Sequence, residues 1–384
     1  MKTVPVLFCS LMLMLAAGAQ TRFESRTICQ DLQYGYQLTS VDLNGDGRKD
    51  LIAVDERAKD LAWFQSPGWE RHILARDVPR AINIDCWDYD GDGIPECALG
   101  YHFETNPEKS EGNLVLLKSG GRVVDPWTPR EIDRVPTVHR LRWLDPTGSG
   151  KKLLVVSPLV GLQARAPLYE DFAPVYAYIP GEWKRETAFQ DRRGILHAVI
   201  PVAWKGKGQG LLTAGFDGLH LYSPSAGFPW KGIRLHPGDP RPCPECGSSE
   251  ARMGTLGKKR FLAAIEPWHG SQVVVYQEEG PDWKRTILDT SMVNGHALAT
   301  GDVDGDGRDE IVAGFRGKGY QLYLFKAKDS RGAEWVRTLL DDGGIAAADC
   351  KVEDFTGDRK PDIVCIGAST ANLKMYVNLG PASR

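Results

Sequence analysis

The chain repeats one short pattern seven times, and this repeat constrains its fold more than any other feature. Each copy has a glycine-rich turn followed by an apolar, strand-like run, and consecutive copies are separated by 46 to 58 residues. The copies begin at Asp42, Asp88, Asp145, Ala203, Met253, Asp302 and Asp354. A period of this size with β-strand signals is typical of a propeller. The sequence therefore predicts an all-β fold, a seven-bladed β-propeller, with about 52 residues for each four-stranded blade.

A tryptophan introduces a further strand-like segment after each of the first six copies. These segments begin at Trp69, Trp127, Trp183, Trp230, Trp283 and Trp335. No such segment follows the seventh copy, whereas the sequence FESRTIC at Phe23 has the same pattern and precedes the first copy. We therefore expect the N-terminal strand to join the last blade and close the ring, which pairs the sheet edges. The tryptophans are expected to pack between blades.

The first 19 residues have the pattern of a signal peptide, with Lys2, an apolar run from Val4 to Ala17 and small residues up to Ala19. Cleavage after Ala19 leaves residues 20–384 as the propeller domain, exported to the periplasm, the cell surface or the medium. No later stretch has the ~20 apolar residues of a membrane-spanning helix. The net charge of −3, from 47 basic and 50 acidic residues, gives no basic surplus for binding nucleic acid.

The cysteines allow several pairings. Seven of them remain after the leader is removed, so one is expected to stay unpaired. If all the inner hairpins share one register, two pairs oppose each other across strands: Cys86 with Cys97, and Cys350 with Cys365. These are either disulfides, which export permits, or four buried thiols. Cys243 and Cys246 form either a local disulfide or half of a metal site.

Four of the seven turns carry oxygen-bearing side chains at loop positions 1, 3, 5 and 9. These are Asp42, Asn44, Asp46 and Asp50 in loop one; Asp88, Asp90, Asp92 and Glu96 in loop two; Asp302, Asp304, Asp306 and Glu310 in loop six; and Asp354, Thr356, Asp358 and Asp362 in loop seven. Such spacing around a glycine turn wraps a hard cation, and calcium fits better than magnesium. Position 12 lacks the bidentate glutamate of an EF-hand. We expect structural calcium here, with metal-free acidic turns as the alternative.

A second set of residues falls at equivalent places six positions before each loop. These residues are Tyr36, Ile82, His139, His197, Gly247, His296 and Ala348. They are expected on the face opposite the acidic loops. The turns expected beside them carry His102, Glu266, His269 and Arg316. Such groups at the mouth of a ring either form a sugar or metal site or only line a wet channel. In a true site, His139, His197 and His296 bind zinc, or one of them acts as a general base.

The acidic loops with their flanking strands resemble FG-GAP or VCBS repeats, whose relatives form the seven-bladed head of integrin α-subunits. This resemblance covers nearly the whole mature chain and implies the propeller fold and calcium, although loops three to five depart from the acidic pattern. The sequences VHRLRWLDPTGSGKKLLVVSPLVG and NGHALATGDVDGDGRDEIVAGFRG also resemble the propeller part of aldos-2-ulose dehydratases, which eliminate water from oxidised sugars with metal help. The second resemblance implies that His139, His296 and Arg316 lie in or near an active site.

Two functions from different classes are consistent with these observations. The first is an exported calcium-binding propeller that binds a carbohydrate or an extracellular protein on its histidine face. The second is an enzyme, a metal-assisted carbohydrate lyase or dehydratase. In that enzyme a histidine or carboxylate removes a proton, and Arg316 or a metal holds the developing oxyanion. A purely structural or adhesive module is a third reading, and the sequence does not decide whether the protein is an enzyme.

Overall fold

The computed structural model describes residues 21–204, 206, 208–224 and 227–381, and the predicted signal peptide at residues 1–19 lies outside this range. The 28 strands of the described residues form seven antiparallel four-stranded sheets. The first strands of the sheets contact one another in a closed circle, so the sheets are the blades of a ring. The predicted all-β, seven-bladed propeller is confirmed. The described residues contain no helix with the length and apolar character needed to cross a membrane.

The strands are numbered along the chain, and β1 (Thr21–Cys29) precedes blade one. Blade one comprises β2 (Gly35–Val41), β3 (Asp50–Asp55), β4 (Leu61–Gln65) and β5 (Glu70–Ala75). Blade two comprises β6 (Asn83–Trp87), β7 (Glu96–Tyr101), β8 (Asn113–Lys118) and β9 (Thr128–Arg134). Blade three comprises β10 (Val138–Leu144), β11 (Leu153–Pro158), β12 (Phe172–Tyr178) and β13 (Glu186–Arg193). Blade four comprises β14 (Leu196–Ala203), β15 (Gln209–Gly215), β16 (Gly218–Ser223) and β17 (Lys231–His236).

The remaining three blades follow the same order. Blade five comprises β18 (Ala251–Leu256), β19 (Lys259–Glu266), β20 (Gln272–Glu279) and β21 (Asp282–Asp289). Blade six comprises β22 (Gly295–Gly301), β23 (Glu310–Phe315), β24 (Gln321–Ala327) and β25 (Trp335–Asp342). Blade seven comprises β26 (Ala347–Glu353), β27 (Asp362–Gly367), β28 (Leu373–Pro381) and β1.

The burial of each strand follows its place in the blade. Second strands are covered on both faces by neighbouring blades, and every residue of β3 and β23 is buried. Outer strands face solvent, so β9 contains no buried residue. The tryptophan that precedes β9, Trp127, is 2% exposed and packs in a core shared by blades one and two. This tryptophan therefore packs between blades, as the sequence predicts.

Blade seven contains strands from both ends of the chain. β1 pairs with β28 in antiparallel register, with Phe23 opposite Asn378 and Thr27 opposite Lys374. Phe23 also packs against the apolar core between blades six and seven. The sheet order is β1-β28-β27-β26, so the N-terminal strand supplies the outer strand of the last blade. The predicted closure is confirmed.

Three disulfides tie short segments together. They are Cys86–Cys97 between β6 and β7, Cys350–Cys365 between β26 and β27, and Cys243–Cys246 within one loop. The two cross-strand pairs lie directly opposite each other, which confirms the predicted shared register. Cys243 and Cys246 are bonded to each other and are not half of a metal site. Among the described residues Cys29 is the free cysteine.

Candidate functional site

The candidate site lies where the inner strands begin, on the face opposite the acidic loops. The second residues of β2, β10, β14 and β22 are Tyr36, His139, His197 and His296. In each of these strands the register with the next strand shifts at that residue, as in a β-bulge. The bulged residue does not pair with the neighbouring strand, and the bulge changes the direction of its side chain. The repeated bulge helps to bring side chains from four blades together at the ring axis.

Four imidazole rings meet there, and we call them the histidine cluster: His139, His197, His269 and His296. His269 comes from the turn after β19. Ring centroids are 4.9 Å apart for His139 and His197, and 5.0 Å apart for His197 and His269. The His296 centroid lies 5.2 Å from those of both His197 and His269. His139, His197 and His296 are only 1–3% exposed.

Three of these rings have ligand nitrogens in a metal-binding arrangement. One nitrogen from each of His197, His269 and His296 lies within 4.8 Å of the other two. The Nε2 atoms of His197 and His269 are 3.2 Å apart, close to the roughly 3.4 Å between two nitrogens on a tetrahedral zinc ion. His296 donates from Nδ1 to the Ala348 carbonyl at 2.5 Å, and its buried Nε2 has no partner among the described residues. The donor set therefore fits a zinc-type metal with an open position.

His139 is oriented differently from the other three. Its Nε2 accepts a hydrogen bond from Arg140 Nη1 at 3.1 Å and lies 2.8 Å from the Tyr36 hydroxyl. Because Arg140 can only donate, Nε2 is bare and the ring proton is on Nδ1. The sequence grouped His139 with His197 and His296 as the possible zinc ligands. In the structure His269 takes that third place, and His139 contacts Tyr36 instead.

A buried carboxylate that the sequence analysis missed supports the cluster. Glu250 Oε1 is 3.1 Å from His197 Nδ1 and accepts a hydrogen bond from Arg140 Nη2 at 2.8 Å. Its Oε2 accepts another from Arg252 Nη1 at 3.1 Å. A carboxylate on the far nitrogen of a histidine fixes the tautomer and leaves Nε2 free for a metal or substrate.

Glu250 was missed because the register of blade five was predicted incorrectly. The sequence placed Gly247 at the equivalent position, on the assumption that the loop begins at Met253. In the structure β18 and β19 are joined by a tight turn with Leu256 opposite Lys259, so Met253 lies inside a strand. A signal was present: Glu250 is followed by an alanine, as His197 and His296 are.

Burial and nearby charges fix the protonation states of the cluster. Burial lowers the pKa of His139, His269 and His296 well below the usual value, and burial also lowers the pKa of His197. Burial alone would raise the pKa of Glu250, but Arg140, His197 and Arg252 hold it well below its usual range. The site therefore combines neutral imidazoles with an ionised carboxylate, which are the states that metal binding needs.

The other predicted site residues divide into two groups. Arg316 is close enough to the cluster for its charge to add to burial in lowering the pKa of His296, and its Nη2 donates to the Asn294 side chain at 3.3 Å. His102 lies apart and pairs with the Asn113 side chain at 2.9 Å. Glu266 also lies apart: it is fully buried and bonded to Ser248, Tyr276 and Arg285.

The acidic loops lie at the other end of the inner strands and share one backbone design. The position 1 aspartate accepts backbone N–H bonds from its own loop, for example Asp42 from Gly45 and Gly47, both at 2.8 Å. The position 9 acids are Asp50, Glu96, Glu310 and Asp362, and all are buried. Burial raises the pKa of Asp50 to about 6 and that of Glu310 to about 8, and neighbouring aspartates add to both shifts. Calcium in these loops stays a prediction.

Comparisons with known proteins agree with this fold. A model of the FG-GAP-like repeat matches residues 42–151 and 302–365, and a model of the aldos-2-ulose dehydratase β-propeller domain matches residues 111–279. The aldos-2-ulose dehydratase of Phanerodontia chrysosporium is 25% identical over 327 residues, which cover 77% of this chain and 35% of that protein. This chain therefore spans about a third of the length of its curated relative.

Solved structures with low sequence identity share the fold. BBS1N, solved in complex with ARL6DN, has a TM-score of 0.57 at 12% identity, and the alignment covers 93% of this chain and 96% of that one. A putative 6-phosphogluconolactonase from Bacteroides fragilis has a TM-score of 0.53 at 13% identity, with 90% and 94% covered. From the strand order we conclude that the chain is a seven-bladed β-propeller, and the matches show that parts of it are similar to FG-GAP-like repeats and to the β-propeller domain of aldos-2-ulose dehydratases.

Proposed function

We propose that this protein binds an oxidised sugar over the histidine cluster and catalyses metal-assisted loss of water from it, as a carbohydrate dehydratase or lyase. One observation carries the proposal: neutral imidazoles from three blades converge, and the buried Nε2 of His296 has no partner in the described part of the chain. The relative named aldos-2-ulose dehydratase suggests the substrate class. The segment that matches its propeller domain includes His139, His197 and His269.

We propose zinc as the metal, held by His197, His269 and His296. Glu250 and the Ala348 carbonyl orient two of these ligands through their Nδ1 atoms. A bound zinc ion supplies Lewis-acid polarisation of a substrate carbonyl or hydroxyl oxygen. The low pKa values of the three imidazoles keep them unprotonated, and so able to bind a metal, at neutral and mildly acidic pH.

Tyr36 and His139 are proposed to move the proton. The Tyr36 oxygen lies 2.8 Å from His139 Nε2 and 3.5 Å from Arg140 Nη1, and its ring centroid is 5.2 Å from that of His296. As Tyr36 accepts a proton from the carbon beside the substrate carbonyl, its own proton passes to His139 Nε2, which then gives up its hydrogen bond from Arg140 and, because the pKa of His139 is low, holds the proton only briefly. The same pair then returns the proton to the leaving hydroxyl group, so that water departs. Arg316 stabilises the developing oxyanion.

We further propose that calcium binds acidic loops of the exported protein, at least loops one and seven, and stabilises their blades. Calcium bound only by the folded state raises stability by mass action, so chelation should lower the melting temperature. A melting temperature unchanged by chelator would contradict this part of the proposal. Export itself depends on residues 1–19.

Ligand binding without chemistry is the second candidate, for a carbohydrate or an extracellular protein. It is favoured by the long connection from the end of β11 to the start of β12 in blade three, where Leu162 and Phe172 are 54% and 46% exposed. A nearby pocket of about 200 Å³ is lined by Leu168, Arg193 and Phe216, among others. Phe216 contacts Trp268, which in turn contacts His269, so this pocket adjoins the histidine cluster.

The deciding experiment combines elemental analysis with an elimination assay on aldos-2-uloses and uronate oligosaccharides, followed by the absorbance of the unsaturated product. We expect stoichiometric zinc in the purified protein and loss of both zinc and at least a hundredfold of activity in His269→Ala. His102→Ala is the matched control and should keep both. Calcium alone, with no unsaturated product from any substrate, would overturn the dehydratase proposal; sugar binding under those conditions would favour the second candidate.

A further inference from the structure

Two of the four acidic loops contain a positive charge supplied by the chain itself. In loop two, Lys118 at the end of β8 reaches over the loop. Its Nζ is 2.8 Å from Glu96 Oε1 and 3.1 Å from Asp92 Oδ2, and it also contacts Asp90. Three of the four proposed calcium ligands in this loop therefore already bind one ammonium group.

Loop six has the same arrangement. Lys326 of β24 lies with its Nζ 2.8 Å from Asp306 Oδ2 and 4.0 Å from Glu310 Oε1, and it also contacts Asp304. The carboxylates lie close together in both loops. In loop two, oxygens of Asp88, Asp90 and Glu96 lie within 4.8 Å of one another, and in loop six the same is true of Asp302, Asp304 and Asp306. A lysine ammonium has three donors, which is enough to satisfy such a group.

Loops one and seven lack this lysine. Lys118 follows Leu117, which pairs with Cys97, and Lys326 follows Phe325, which pairs with Ile311. The residue at the equivalent position is neutral in the other two blades. In blade one it is Gln65, which follows Phe64, the partner of Leu51. In blade seven it is Val377, which follows Tyr376, the partner of Ile363. Within the described ranges, no basic side chain forms an ion pair with Asp42, Asp46 or Asp50, and in loop seven Asp358 pairs with Lys360 of its own loop.

The position 9 acid differs in the same way between the two kinds of loop. Loops two and six have glutamate, Glu96 and Glu310. In each, Oε2 accepts a backbone N–H bond from its own loop and Oε1 forms the ion pair with the lysine. Loops one and seven have aspartate, and both oxygens accept backbone N–H bonds. Asp50 bonds Leu43 and Ser66, and Asp362 bonds Phe355 and Asn378. The glutamate and the lysine thus occur together.

We propose that Lys118 and Lys326 are built-in counterions that hold loops two and six closed without metal, so that calcium binds only loops one and seven. The ammonium and a calcium ion would compete for the same carboxylate oxygens and would repel each other at that distance. The statement about loops two and six depends on the lysines alone. The statement about loops one and seven depends on the calcium proposal above.

The test is calcium stoichiometry by native mass spectrometry and calorimetry, using calcium alone as the probe. The proteins are wild type, the double variant Lys118→Met, Lys326→Met, and Lys328→Met as the control, because Lys328 pairs with Glu334 instead. We expect two calcium ions in wild type and the control, and four in the double variant. Zero in wild type and two in the double variant would support the lysine role and refute calcium in loops one and seven. Equal numbers in wild type and the double variant would overturn the proposal.

A second measurement uses only wild-type protein, in case the double variant does not fold. Hydrogen exchange with and without calcium should change amide protection in loops one and seven by at least tenfold. Loops two and six should change less than twofold, because their ammonium groups remain in place. Equal calcium-dependent protection in all four loops would overturn the proposal even without a variant.

Discussion

Among single residues, Glu250 illustrates most clearly how the centre of the ring is held together. Its carboxylate connects His197 to Arg140 and Arg252, and it is 4% exposed. Two guanidinium groups at the axis of the ring therefore depend on one buried anion. Arg140 has no other ion-pair partner among the described residues, whereas Arg252 also lies 3.8 Å from Asp349.

Glu250→Gln should destabilise the protein by about 3 kcal/mol, because it leaves the buried Arg140 without its counterion and removes one of the two carboxylates that pair with the half-buried Arg252. Urea denaturation measures the loss. Glu278→Gln is the matched control: Glu278 pairs with Arg260 at a partly exposed site, and its loss should cost at most about 1 kcal/mol. Similar losses for both variants would mean that the central ion pairs contribute no more than a surface pair.

His220 should make stability depend on pH. Burial, with Arg192 and Arg234 nearby, lowers its pKa to about 3. Between that value and the unfolded value of 6.5, only the unfolded chain takes up a proton at this residue, so stability falls as pH falls below 6.5. From pH 7.5 to pH 5 the loss should be about 2 kcal/mol. His220→Gln should remove that part of the dependence in denaturation curves at the two pH values; an unchanged dependence would contradict the assignment.

At the scale of strands and hairpins, the register explains what could be predicted from the sequence. The offsets of Cys86 and Cys97 from the start of their loop sum to seven, as do those of Cys350 and Cys365, so a shared register predicted that each pair lies opposed across strands, as a disulfide or as two buried thiols. In blade five the turn is short, so counting back from a presumed loop at Met253 reached Gly247 instead of Glu250. The rotation of His139 toward Tyr36 could not be predicted, because side-chain direction within a bulge depends on contacts from other blades.

The disulfide within blade seven should stabilise its inner hairpin. Cys350 and Cys365 are separated by 15 residues, and closing a loop of that size in the unfolded chain corresponds to about 3 kcal/mol. The double variant Cys350→Ser, Cys365→Ser should lose that amount in urea denaturation. The Cys243–Cys246 disulfide closes a loop of only three residues. The double variant Cys243→Ser, Cys246→Ser should therefore lose about 2 kcal/mol or less of stability. A larger loss for the second pair would contradict the loop-length explanation.

At the scale of the whole molecule, stability depends on the ring being closed. Every blade contacts two neighbours through its inner strand, and the contact between β2 and β26 joins the first blade to the last. β1 adds the outer edge of blade seven by pairing with β28 from Thr21 to Cys29. Its loss would expose a long unpaired strand.

Deletion of residues 21–29 should therefore lower the melting temperature and cause association through β28. Size-exclusion chromatography with light scattering would detect dimers or larger species. A synthetic peptide of residues 21–29 should restore the monomer by strand addition, whereas a scrambled peptide of the same composition should not. A deletion variant that stays monomeric and equally stable would show that β1 is dispensable.

The pairing of β1 with β28 also has a consequence for biosynthesis. β1 pairs with β28, which is the last of the 28 strands to be synthesised. β1 therefore remains unpaired while the ribosome makes all the other strands. Pairing across so long a stretch of chain is slow. We therefore expect a folding intermediate in which blade seven lacks its outer strand. A factor that binds β1 during translation or translocation should then increase the yield of the folded propeller.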